Sequence, residues 1–187
     1  SGARSRDLAG QARALPADLP GPVAIVITIG GNDLREAAPA AIGGADQAVR
    51  QEMRRNLADA IDDLVRPGRF GSGVDARVYL ATIYDSSDGK GGFRERGCPI
   101  AIGAVATDPI FQRWNADLAE LARSRGAAVV DLHGLFRGHG IASDRPWYLD
   151  DCIHPNDSGH LAIASAFATA ITGLAPAAAP AEPPAAA

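Results

Sequence analysis

Asp151 and His154 stand three residues apart on a segment that Pro155 closes, within Leu149-Asp150-Asp151-Cys152-Ile153-His154-Pro155-Asn156-Asp157-Ser158. In one tight turn that spacing lets the carboxylate reach the Nδ1–H of the histidine. A carboxylate so placed fixes the imidazole tautomer and stabilises the imidazolium, leaving Nε2 free to take a proton. Asp150, four residues before His154, is the rival orienter. Asp-x-x-His-Pro by itself also fits an ordinary surface turn. A second stretch far upstream adds to it: the apolar run Val23–Ile29 ends in Gly30-Gly31-Asn32-Asp33. The glycines let the backbone turn sharply, and Asn32 can aim an amide N–H at an oxyanion. The plain alternative is that Asn32 and Asp33 cap the helix or turn that follows. Together the two stretches read as half of a hydrolase site.

The elements that must position these groups follow from periodicity. Val23–Ile29 is the continuous β-branched run of a parallel strand covered on both faces. Arg77–Tyr84 and Ala127–Leu132 read as two more strands. A short helix is predicted over 3–14, stopped by Pro16 and Pro20. A long one runs from about Asp46 to Arg66, with Val49, Met53, Leu57, Ile61 and Leu64 on one face as core packing. Thr107-Asp108-Pro109 starts a third helix that buries Ile110, Trp114, Leu118 and Leu121. A last helix spans Ser158–Thr172. The stretch after Asn32 reads as a mobile loop, as does the Gly-rich segment after Tyr84, whose length suggests function or disorder. Another irregular region leads to Trp147. Alternating strand and helix imply a parallel α/β sheet with right-handed crossovers.

Composition narrows the function classes. The 187 residues, 47% of them hydrophobic, suit one domain over residues 1–173, followed by an Ala/Pro-rich tail, residues 174–187, expected to be disordered. Eighteen basic against 22 acidic residues give a net charge of -4, with no basic stripe for nucleic acid. No apolar run is long enough to span a membrane. A metal site built from His154, His160, Asp151 and Asp157 lacks the spacing of zinc ligands, and the chemistry assembled so far calls for no cofactor.

Ile29-Gly30-Gly31-Asn32-Asp33 upstream and Asp151-Cys152-Ile153-His154-Pro155 downstream resemble blocks III and V of the SGNH (GDSL) hydrolase family. The opening Ser1-Gly2-Ala3-Arg4-Ser5-Arg6-Asp7-Leu8 is similar to its block II. The resemblance implies a three-layer α/β/α, flavodoxin-like fold and a serine acyl-enzyme route to ester hydrolysis. It makes His154 the general base, Asp151 its orienter, and Asn32 and the Gly2 backbone N–H two oxyanion donors. No Gly-Asp-Ser block occurs in the sequence. None of Ser1, Ser5, Ser86, Ser87 or Ser158 sits on a sharp strand-to-helix turn, so the nucleophile is expected upstream of Ser1. The chain then reads as an N-terminally truncated hydrolase, inactive alone and with the edge of its first strand open.

Short-chain acyl esters or acetylated sugars are the expected substrates. A non-catalytic carbohydrate- or polymer-binding module and an acyltransferase are the alternatives. Cys98 and Cys152 permit one disulfide or two thiols. A bond would pin the Gly-rich loop against the histidine turn and imply an extracytoplasmic enzyme. Trp147 and Tyr148 would wall an acyl pocket or simply pack in the core.

Overall fold

Apolar β-branched runs form the three strands expected: β1 (Val23–Ile27), β2 (Ala76–Ala81) and β3 (Ala128–Val130). The structure is a computed structural model and describes residues 2–174. All pairing is parallel, in the order β1-β2-β3, with Ile25 opposite Val78 and Tyr79 opposite Ala128. Each strand stops earlier than its apolar run does. The reason lies in competing bonds: the N–H of Ile83 donates to the Asn115 side chain at 2.7 Å, whose amide returns a bond to the Ile83 carbonyl at 2.9 Å. Freed from the ladder, residues 28–30 and 82–84 splay apart and line a cavity.

Two loops of the sequence reading are helical instead. The stretch after Asn32 forms α2 (Gly31–Glu36) and α3 (Ala38–Ile42), burying Leu34, Ala37 and Ala41. That i, i+3, i+7 spacing was the available signal; Pro39 and the flanking glycines obscure it. The irregular region before Trp147 contains α6 (Leu132–Phe136), which Asp131 caps by accepting from the Gly134 N–H. The remaining helices are α1 (Leu8–Ala14), α4 (Gln47–Leu64), α5 (Asp108–Ser124) and α7 (Asp157–Thr172). A 3-10 turn over Ser5–Asp7 begins the expected first helix.

Helices cover both faces of the sheet. On one face α4 and α5 bury Met53, Leu57, Ile61, Trp114 and Leu118 against Ile25, Ile27, Val78 and Leu80. On the other, Phe167 of α7 packs on Tyr79, Ala81 and Val130. Alternation along β2 divides its side chains between these two cores. β1 pairs with β2 alone among the described residues, and Val26 on its second face is 46% exposed. Beyond Leu174, the tail expected to be disordered lies outside the described residues, as does Ser1.

Candidate active site

The histidine turn is held from three sides. The N–H of Leu149 donates to the His154 carbonyl at 2.8 Å, that of Asn156 to Trp147 at 2.9 Å, and the Asn156 amide to the Pro146 carbonyl at 2.8 Å. Asn156 then caps α7 by accepting from the Gly159 N–H. A Cβ on Gly159 would fall 2.6 Å from the Trp147 carbonyl oxygen, so only glycine lets α7 start this close to the turn. Cys152 takes a left-handed backbone at φ 62, a conformation that costs an L-residue roughly 1–2 kcal/mol. It is bonded to Cys98, with Cα atoms 5.9 Å apart, so the two cysteines form a disulfide rather than free thiols.

Within the turn, His154 Nδ1 lies 2.6 Å from Asp151 Oδ2, and the backbone N–H groups of Ile153 and His154 both donate to Oδ1 at 2.9 Å. The ring bond from His154, then its backbone bond, hold the Asp151 carboxyl down at about 2, against a smaller opposing effect of burial. The pH dependence has a definite sign. A depressed carboxyl pKa stabilises the fold above the ordinary value of about 4. Acid unfolding is therefore expected to show this turn's contribution intact above about pH 4 and lost as the pH falls toward 2. Carboxylate chemical shifts followed by NMR would read it, and an Asp151 that titrates near 4 would remove the argument.

Across the cavity stands Asn32, on the first turn of α2. Gly30 precedes it at φ 104, and a Cβ there would sit 3.0 Å from Met53 Sδ and 3.1 Å from Ile83 Cδ1. One amide N–H of Asn32 donates to the Ala3 carbonyl at 2.9 Å. The amide carries two donors, so one remains for a ligand. The neighbouring Asp33 is buried and accepts from the Ser5 N–H at 3.0 Å and the Ser5 hydroxyl at 2.6 Å. Asn56 in turn donates to that hydroxyl at 3.0 Å. This network ties the opening segment to α2 and α4. Sequence reasoning missed it, because nothing local links positions so far apart.

His154, Asn32 and Ala3 line one cavity of about 300 Å³. Gly2 is not among its lining residues; it is exposed, one position before Ala3, at φ 89. Of the serines, Ser86 lines the cavity, Ser5 is committed to Asp33, and Ser87 bonds Asp85 and Thr107. No serine hydrogen bonds to His154 among the described residues. Trp147 and Tyr148 do not line the cavity. Trp147 stacks on His139 at 3.6 Å, and Tyr148 packs on Phe136 and Tyr84, which is core packing. Tyr84 does reach the cavity; burial, and after it the Asp151 carboxylate, pushes its phenol up. The Gly-rich loop contributes Phe93, Ile100 and Ile102, side chains the sequence reading left without a role. Among the described residues no three His, Cys, Asp or Glu side chains converge as metal ligands, and no helix is long and apolar enough to cross a membrane.

Comparison with known proteins agrees with this architecture. LAE5, an α/β hydrolase enzyme from the metagenome of Lake Arreo, Spain, superposes with a TM-score of 0.59 at 23% identity, over 92% of this chain and 69% of its own. Axe2, an acetylxylan esterase from Geobacillus stearothermophilus, gives 0.60 at 20% identity over the same shares. Phospholipase A1 from Streptomyces albidoflavus NA297 gives 0.52 at 18%, over 87% of this chain and 73% of its own. At these identities the likeness is one of fold. No curated protein matches in sequence. The profile of the GDSL-like lipase/acylhydrolase family matches residues 1–162, and with that match over most of its length the chain belongs to this family.

Proposed function

We propose that this chain carries the base and oxyanion half of a carboxylic ester hydrolase that works through a serine acyl-enzyme. The observation that carries the reading is the Asp151–His154 pair, 2.6 Å apart, opening on the same cavity as the Asn32 amide. His154 Nε2 takes the proton of a serine hydroxyl as its oxygen attacks the ester carbonyl. Nδ1–H donates to Asp151 and keeps the imidazolium oriented. The oxyanion accepts from the free N–H of Asn32, from the Gly2 backbone and from the serine's own N–H. When the C–O bond breaks, Nε2 returns the proton to the leaving alkoxide. Water repeats the cycle on the acyl-enzyme and releases the acid. The serine belongs to sequence preceding Ser1. Family membership supports the ester chemistry, and folds like this one serve both an acetylxylan esterase and a phospholipase A1. Small-molecule or glycan esters are accordingly the substrate classes. The Cys98–Cys152 bond supports an oxidising, extracytoplasmic location.

Fluorophosphonate labelling of the protein from its native source, followed by peptide mapping, tests the reading. A labelled serine in a peptide preceding Ser1 is expected. A label on a serine within this chain, or none at all, would overturn the assignment.

A further inference from the structure

We propose that the cavity is an acyl-chain pocket for a medium-length fatty ester, and that the loop pinned by Cys98–Cys152 sets the chain length. The proposal rests on the hydrolase reading and goes beyond it by choosing among its substrate classes. Leu34, Ala38 and Ala41 from α2 and α3 form one wall, and Phe93, Ile100 and Ile102 from the Gly-rich loop another. A sugar would need hydroxyl partners, and those available are already committed. Thr82 donates to Asp131 at 3.0 Å and accepts from the His133 N–H at 2.9 Å, while Thr107 is engaged by Asp85 and Ser87. Thr28 and Arg35 are exposed, which leaves Ser86 as the remaining buried hydroxyl of the lining. A polar guest would enter with its own groups unpaired. An alkyl chain would not.

Volume decides the length. About 300 Å³ holds about ten water-sized groups at roughly 30 Å³ each. An acetyl would leave most of that space empty, and a palmitoyl chain would overrun it. The loop wall is also rigid. The N–H of Gly92 donates to the Gly103 carbonyl at 3.0 Å and that of Arg94 to Ile102 at 3.1 Å, tying the two sides of the loop together. Phe93, Cys98 and Cys152 are buried as one cluster with Ile100 and Ile102 against it. Cys152 lies two residues before His154, so the disulfide joins the pocket wall to the catalytic turn and fixes the distance between base and pocket wall.

Calorimetric titration with acetate, octanoate and palmitate reads this without requiring turnover. Each buried methylene adds about fourfold in affinity, so octanoate should bind at least about a hundredfold more tightly than acetate, and palmitate no more tightly than octanoate. Ala38→Phe, on a half-buried position, fills the pocket and should abolish octanoate binding; circular dichroism checks that it folds. Phe93→Ala enlarges the pocket and should shift the preference toward longer acids. Octanoate binding no tighter than acetate, or unchanged in a folded Ala38→Phe, would overturn the proposal. Octanoate bound by a protein that no fluorophosphonate labels would overturn the catalytic reading alone. Labelling without any preference for octanoate would overturn the pocket alone.

Discussion

His154→Ala should lower kcat/KM for a nitrophenyl ester by about 10⁴-fold or more, measured on the protein together with its nucleophile. The size follows from what Nε2 does. Without it no group on the cavity wall takes the serine proton, and the leaving alkoxide departs unprotonated. Residual turnover would come from the oxyanion donors and from binding. Asp151→Asn should cost nearly as much, because an amide facing Nδ1 can hold the ring in the wrong tautomer. Asp150→Asn separates the two candidate orienters. Asp151 bonds His154 through its side chain and twice through backbone N–H groups of the turn, whereas Asp150 is exposed. Its variant is therefore expected to stay within a few-fold of the parent. Full activity in His154→Ala would remove the base from the mechanism, and a dead Asp150→Asn would reassign the orienter.

Breaking Cys98–Cys152 is the second large effect. The bond closes a 54-residue span, and loop entropy gives about 4 kcal/mol for a closure of that length. Engineered cases often deliver less, so the expected loss is about 2–4 kcal/mol. In a chain of this size that lowers Tm by roughly 5–15 °C. Cys98→Ala and chemical reduction should each produce the drop, and reduction of Cys98→Ala should add nothing further. Part of the loss arises at Cys152 itself, whose left-handed backbone is easier to hold while the sulfur is anchored. A Tm unchanged by reduction would show that the loop is held by its hydrophobic cluster and backbone ladder instead.

The open second face of β1 bears on handling the protein. α7 covers β2 and β3, but Val26 is 46% exposed and Leu161 on α7 is 60% exposed. Apolar edges of this kind invite pairing with other chains. Solution conditions for both experiments must therefore keep the protein dilute, with monodispersity followed by light scattering.

What the sequence determines by itself is what depends on near neighbours along the chain. The three strands and the helices α4, α5 and α7 carry their own apolar period, so α/β order is legible without coordinates. The Asp151–His154 bond is legible for the same reason, since one turn spans the three residues and a proline stops it. Family membership rides on those local blocks. Where the strands end, by contrast, is decided by Asn115 of α5 reaching Ile83, a contact between residues far apart in sequence. The burial of Ser5 on Asp33, the bonding of Cys98 to Cys152 and the meeting of Phe93 and Ile102 with α3 are likewise long-range. None of these has a periodic signature, because each depends on how separate elements pack, and packing is settled only when the sheet brings the carboxyl ends of its strands together.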